Sequence, residues 1–349
     1  MKKIFHYIFK REIPRELLGA KKEPFMKEDF KLAEIMKEIQ PFDWNKGYDI
    51  EEDLGLKIPI KTQGSSSSCV AQAWAYYAGI LDAFEIKTYR EQSARWIYSQ
   101  IYHPDGGAFI RDGGQILINQ GIVPSALFPD KLTEEEMRIK DDATKDLKNI
   151  AKVYLKDSYV SIEEFYTIDT FAEILKERKG FVGGVFDGFD SSWRSAFPKP
   201  SGNTNMGHCL YFGKAKLING KKYLGVCNSW GDQIGDKGWQ WLGIEWFNSG
   251  RILFPKTILD LPDEIERPPE KPHYQFNKDL KWGMTDPDVK MLQRCLAYEG
   301  CFLYQSFTDF FGGYTLRAVK TFQQKYGIEP VSGIVGPLTR AKLNQIFGS

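Results

Sequence analysis

The side chains of this 349-residue chain best suited to nucleophilic and proton-transfer chemistry are five cysteines and four histidines. The cysteines stand at 69, 209, 227, 295 and 301, and an odd number leaves at least one outside any intramolecular disulfide, as a candidate reactive thiol. Cys69 follows the serine run Ser65 to Ser68 and opens a proline-free stretch through Leu81, so a hydroxyl N-cap sets it in the first turn of a helix. A thiol with an ordinary pKa of about 8.5 is mostly protonated at neutral pH. The unpaired N–H groups of a helix N-terminus, with roughly half a unit of positive charge, favour the thiolate there. An imidazole can supply the rest. Among His6, His103, His208 and His273, only His208 opens a strand-like stretch, Gly207 to Gly213. Twenty residues later Asn228 ends the next such stretch, where adjacent antiparallel strands can set its amide beside the second ring nitrogen. Strand alternation turns Cys209 and Cys227 away from that face, so no metal and no cofactor is expected.

These groups need elements to hold them. Glu28 to Ile39 has apolar residues at Leu32, Ile35, Met36 and Ile39, the spacing of one amphipathic helix. Helical pattern dominates the first half, and short β-rich stretches follow at Phe181 to Phe186, Cys209 to Lys216, Tyr223 to Cys227 and Trp239 to Ile244, separated by Gly, Asn and Asp turns. The expected class is α+β, helices first and an antiparallel sheet second. The proline-rich, charged stretch from Leu261 to Pro272 reads as an extended linker. Three helix signatures come after it. Asp286 with Pro287 opens the first, Thr315 to Gly327 holds the second, and Pro337 opens the third. The expected organisation is an N-terminal extension or pro-segment over 1–40, a main domain over 41–261, a linker over 262–275 and a three-helix domain over 276–349.

Composition bounds the partners. A hydrophobic fraction of 42% with 27% charge is that of a chain able to pack a core, and a formal net charge of +1 provides no field to recruit nucleic acid or an anionic membrane. The apolar run from Ile4 to Phe9 is shorter than the roughly 7 to 15 residues of a secretory signal core, and no window approaches the ~18 apolar residues of a membrane span.

From Pro41 to Leu261 the sequence resembles the papain-like cysteine peptidases. Gln63-Gly-Ser-Ser-Ser-Ser-Cys69 is similar to that family's glutamine-to-nucleophile motif, and Asn228-Ser-Trp-Gly231 to its asparagine motif. His208 follows Cys69 by 139 residues, inside the family's interval of about 130 to 150. The resemblance implies a two-lobe fold, helical lobe plus antiparallel β lobe, and hydrolysis of a protein or peptide through a thioester. It makes Cys69 the nucleophile, His208 the base, Asn228 its orienting partner and Gln63 an oxyanion donor. Trp230 would shield the Asn228–His208 hydrogen bond, and Asp112-Gly113-Gly114 would be the glycine-lined substrate wall. Ser66 replaces the family's usual cysteine, so the disulfide made there is absent, and Gly207 precedes the histidine where Asn or Asp is frequent. From Leu280 onward the chain resembles the type 1 peptidoglycan-binding domain, on Trp282-Gly283, Leu292-Gln293, Thr315, Phe322-Gln323, Gly333 and Thr339. That implies a cell-wall partner and a location outside the cell or at its envelope. A wall-peptide hydrolase of the same chemistry, and a structural or adhesive protein such as a phage-particle component with a vestigial peptidase domain, are the alternative readings.

Overall fold

A computed structural model of the chain describes residues 13, 17–23, 41–140, 145–156, 159–162, 167–186, 189–201, 207–258, 271–299, 301–302 and 307–348. The helix expected over Glu28 to Ile39 and most of the expected linker lie outside these residues. The chain divides into two compact units close to Leu261, with Lys152–Leu155 grouped with the second.

In the first unit, β1 (Tyr48–Asp49) and α1 (Ile50–Leu54) precede the long helix α2 (Cys69–Ile86). Alanines alternate with Trp74, Tyr76 and Tyr77 along α2, and every residue from Cys69 to Ala83 is buried. So uniform a burial means the helix is enclosed on all sides rather than lying on a surface. Against it pack α3 (Ala94–Ile101) and α4 (Ile110–Asn119), with α5 (Glu134–Arg138) against α3, and α6 (Lys145–Ala151) follows in the chain. Trp74 Nε1 donates to the Ile110 carbonyl at 2.8 Å, tying α2 to the start of α4. The buried pair Lys156–Asp82, 2.8 Å apart, supplies the counter-charge that an enclosed ion requires.

The sheet half contains β2 (Tyr159–Ser161), α7 (Ile168–Glu177), β3 (Phe181–Phe186), β4 (Gly207–Ile218), β5 (Lys221–Cys227), β6 (Trp239–Gly243), α8 (Ile244–Asn248) and β7 (Ile252–Ile258). Its strand order is β2-β7-β3-β4-β5-β6, with β1 also paired to β4 and every pairing antiparallel. The expected strands are present, longer at β4 and at the start of β5 and one residue shorter at β6, where Ile244 begins a helix instead. Asn219 and Gly220, both at positive φ (51° and 74°), close the β4–β5 hairpin, the backbone that matches the twist of the flanking strands. Phe171, Phe181, Phe212, Trp193 and Trp246 fill the core of this half. The unit is α+β, a helical lobe followed by an antiparallel β lobe.

The second unit packs α9 (Pro287–Tyr298), α10 (Gly313–Lys325) and α11 (Pro337–Phe347) around Leu280, Leu292, Leu296, Val319, Phe322 and Leu343. Asp286 caps α9, its carboxylate accepting from Asp288 N–H at 2.9 Å, with Pro287 at the first helical position. Two glutamines serve as matching polar ties. Gln293 donates to Thr315 Oγ1 (2.8 Å) and accepts from Thr308 N–H (2.7 Å); Gln323 donates to Thr339 Oγ1 (3.0 Å) and accepts from Gly333 N–H (2.9 Å). Each fixes the loop that follows its own helix and the first turn of the next, which satisfies backbone groups a small apolar core would otherwise bury unpaired.

Candidate active site

Cys69 is the first residue of α2, fully buried, and the backbone N–H of Cys209 reaches its Sγ at 3.5 Å. Burial pushes its thiol up to about 11, against the N–H groups of Cys209, Gly19, Val70 and Ala20, which favour the thiolate. His208, one residue before Cys209 on β4, is also fully buried, and burial pushes its imidazolium down to about 4, opposed by Asn228 and the Leu17 backbone. Neither member of the pair ionises readily while it is enclosed this way.

The hydrogen-bond network fixes the histidine's tautomer from outside inwards. The carbonyls of Trp193 and Ser195 can only accept, so they orient the Gln240 amide, whose Nε2 donates to them at 2.6 and 3.2 Å. Gln240 Oε1 then accepts from Asn228 Nδ2 at 2.6 Å. That leaves Asn228 Oδ1 as an acceptor, taking the Ser229 N–H (2.7 Å) and the His208 ring nitrogen Nε2 (2.9 Å). Nε2 therefore carries the proton and Nδ1 the lone pair. Nδ1 makes no hydrogen bond of good geometry among the described residues, although the Leu17 backbone is close enough to favour the charged ring. Trp230 stacks on the imidazole, centroids 4.3 Å apart, and Trp193 meets it edge-on at 6.5 Å, so the Asn228–His208 bond is kept out of water.

Gln63 is held just as firmly. Its backbone N–H donates to the Ser229 carbonyl (2.8 Å), its Oε1 accepts from Ser229 Oγ (2.7 Å) and its Nε2 donates to the Ser66 carbonyl (2.6 Å). Ser66, where a disulfide is absent, instead bonds the Gln63 carbonyl and Ser68 Oγ, each at 2.7 Å, and is itself fully buried. The remaining reach of Gln63 Nε2 is to the Leu17 carbonyl at 3.3 Å.

Leu17 belongs to a stretch that runs past Cys69. Ala20 N–H donates to the Gly207 carbonyl (2.9 Å), Lys21 N–H to the Ala108 carbonyl (3.0 Å), and Ala108 N–H to the Gly19 carbonyl (2.8 Å). Gly19 fits where no other residue would, because a Cβ there would sit 1.9 Å from the Ser67 carbonyl oxygen. On the opposite side a Cβ on Gly107, at φ +74°, would meet the Gly19 carbonyl oxygen at 2.1 Å. Beside this stretch a cavity of about 900 Å³ is lined by Ser67, His103, Asp105, Phe109, Glu134 and Arg138.

The structure brings Cys69, His208, Asn228, Gln63 and Trp230 together, with Trp230 against the imidazole. It does not bring Gly113 and Gly114 there. Both are inside α4, where a Cβ would strike Trp74 Cδ1 at 2.3 Å and Tyr159 Cδ1 at 2.8 Å; their smallness admits aromatic packing. The glycines beside Gly19 are Gly106 and Gly107, from the earlier copy of the same Asp-Gly-Gly tripeptide. Ser229 and Gln240 escaped sequence reasoning. The available signal for Gln240 was a lone amide among Trp239, Trp241 and Leu242 in a buried strand. Burial raises the Cys209 thiol, and the charge of Cys69 adds to that.

Comparison with known proteins bears on the fold of each unit. Residues 285–343 match the family described as "Putative peptidoglycan binding domain". A cathepsin L-like proteinase of Phaedon cochleariae is 23% identical over 192 residues, 53% of this chain and 56% of that protein, so the match spans about half of the relative. Xylellain, a cysteine protease from Xylella fastidiosa, superposes with a TM-score of 0.56 at 20% identity, over 71% of this chain and 97% of that one. Procathepsin B S9 from Trypanosoma congolense gives 0.53 at 15% identity, over 70% and 86%. The first unit has the fold of the papain-like cysteine proteases, and the C-terminal helices belong to a putative peptidoglycan-binding domain.

Proposed function

We propose that the chain hydrolyses peptide bonds through Cys69. The observation that carries this reading is the His208 tautomer, fixed through Gln240 and Asn228 with its Nδ1 lone pair left for the thiol proton. In the reaction His208 Nδ1 takes the proton of Cys69 Sγ, and the sulfur attacks the scissile carbonyl carbon. The oxyanion is received by Gln63 Nε2 and the Cys69 backbone N–H, at about 3 kcal/mol per donor. His208 passes its proton to the leaving amine, the C–N bond breaks, and a thioester remains. Water, deprotonated by His208, then releases the acid and restores the thiol. Cys69→Ala and His208→Ala should each abolish cleavage of a peptide library followed by mass spectrometry, and near-normal turnover by Cys69→Ala would remove the mechanism. An epoxide probe that fails to label Cys69 would favour a vestigial domain.

The stretch from Leu17 to Lys22 serves as a lid in this reading. Supporting it are the Leu17 carbonyl on the donor of Gln63 and the Gly19 seat between Ser67 and Gly107. The C-terminal domain acts as a tether to bacterial peptidoglycan and holds the peptidase at the cell envelope, a reading that the family match supports. The same match favours a second substrate class, the peptide stems of the wall itself, and the library separates the two when it includes stem peptides.

A further inference from the structure

Gly19 is seated between two stretches of backbone, the Ser67 carbonyl on one side and Gly107 on the other. Ser67 belongs to the loop that enters α2, two residues before Cys69. Gly107 and Ala108 form the opposite wall, where the Ala108 carbonyl accepts from Lys21 N–H and its own N–H donates to the Gly19 carbonyl. Two side chains join these walls. Tyr98, on α3 and fully buried, accepts from Gly107 N–H at 3.0 Å and donates to Glu134 Oε1 at 2.6 Å. The other carboxylate oxygen, Oε2, accepts from Ser67 N–H at 2.7 Å. The directions are forced, because a carboxylate only accepts and a backbone N–H only donates, so the single hydroxyl proton goes to Glu134. Burial raises the Tyr98 hydroxyl far above its ordinary range, and the bond to Glu134 adds to that, so it remains a donor.

Arg138 fixes the carboxylate between the walls. Its Nε and Nη2 donate to Glu134 Oε1 at 2.9 and 2.6 Å, and Nη2 also reaches the His103 carbonyl at 3.4 Å. His103 closes the turn that leads into the far wall, its N–H donating to the Gly107 carbonyl and its carbonyl accepting from Gly106 N–H, both at 2.9 Å. There is little slack across the gap, since a Cβ on Gly106 would lie 3.3 Å from Ser67 Oγ.

We propose that Tyr98 and Glu134 are positioning residues that brace the two walls at one separation, so that a peptide lying between Ser67 and Gly107 is gripped along its backbone. The lid is held this way in the closed chain, and a substrate takes its place once the lid leaves. Among the described residues, the hydrogen bonds of Tyr98 and Glu134 go to the walls and to Arg138, whereas Cys69, His208, Asn228 and Gln63 have other partners. The brace therefore acts on binding and leaves the chemical step to those four. The proposal rests on the lid and peptidase readings, and two measurements keep it separable from them.

The first needs no turnover. Full-length Tyr98→Phe, which keeps the ring and removes the acceptor of Gly107 N–H, is treated with iodoacetamide and labelling of Cys69 is followed by mass spectrometry, with circular dichroism to check the fold. Losing about one hydrogen bond from the wall should make Cys69 react about tenfold faster than in the parent chain. Where Gly19→Ala has already lifted the lid, Tyr98→Phe should add no more than about twofold, because the wall then holds nothing over the thiol. The second is steady-state cleavage of the best library peptide by Gly19→Ala with and without Tyr98→Phe, where KM should rise about tenfold and kcat stay within about twofold. Should Tyr98→Phe fail to fold, Glu134→Gln replaces it, since one amide oxygen then stands where two carboxylate oxygens face Tyr98 and Ser67. The proposal is overturned by an alkylation rate within about twofold of the parent chain, by equal acceleration with and without Gly19→Ala, or by a loss that falls on kcat instead of KM. A parent chain that cleaves no library peptide would end the peptidase reading, and the alkylation rates would still decide the brace.

Discussion

Gly19→Ala should open the cleft without touching any group that performs the reaction. The added methyl would lie 1.9 Å from the Ser67 carbonyl oxygen and 2.6 Å from its carbon, and this neighbour is backbone at the entry to α2, which cannot yield as a side-chain tip could. The stretch must therefore lift, and three backbone hydrogen bonds go with it, Ala108 N–H to Gly19, Ala20 N–H to Gly207 and Lys21 N–H to Ala108. At about 1 kcal/mol net for each, closure weakens by about 3 kcal/mol, or on the order of 100-fold in the open population. The assay is the rate of iodoacetamide alkylation at Cys69 in the full-length chain, followed by mass spectrometry, with Cys69→Ala as the blank for the other four thiols. Alkylation should accelerate about 100-fold, and peptide turnover should rise with it. A rate within about twofold of the parent chain would mean that the Leu17–Lys22 stretch does not guard the thiol.

The other predictions concern the ring, its supports and the second unit. Because burial holds His208 at about 4 against an ordinary 6.5, the folded chain takes up its proton less readily than the unfolded one. This part of the stability is intact above pH 6.5 and is lost as pH falls towards 4, about 2 kcal/mol by pH 5. Denaturant titrations should find that loss in the parent chain and not in His208→Gln; parallel curves would refute the assignment. Gln240→Ala should lower kcat roughly 10- to 100-fold with little change in KM, since it frees the Asn228 amide to turn and present Nδ2 to the imidazole. Unchanged kcat would deny Gln240 its orienting role. Asn228→Ala should be milder than His208→Ala in the same assay. Residues 276–349 alone should co-sediment with purified peptidoglycan sacculi, and a chain ending at Leu261 should not; a C-terminal domain that stays in the supernatant would end the tether proposal.

Local features were legible in the sequence because their causes are local. A proline-free stretch after the serine run put Cys69 in a first turn, although the expected hydroxyl cap is not made, since Ser68 forms no side-chain cap hydrogen bond; Gly, Asn and Asp turns separated the strands, and Asp286-Pro287 specified a helix start. The spacing of His208 and Asn228 suggested that imidazole and amide meet, and they do, but across a β4–β5 ladder whose register shifts between Phe212 and Lys214, which the tight turn alone does not specify. The Asp-Gly-Gly tripeptide marks the limit. It occurs twice, seven residues apart, and composition cannot separate the copies. Tertiary packing decides: Gly106 and Gly107 take φ of +90° and +74° beside Gly19, whereas Gly113 and Gly114 remain helical so that Trp74 and Tyr159 can close on them. Gln240 and Lys256 were hidden for a related reason. Gln240 is the one polar side chain of β6 and Lys256 shares β7 with Thr257, and the groups they contact lie 12 residues away at Asn228 and 233 residues away at Glu23. Strand register and the path of the N-terminal stretch bring those groups within hydrogen-bond and ion-pair reach, and neither is encoded in local propensity.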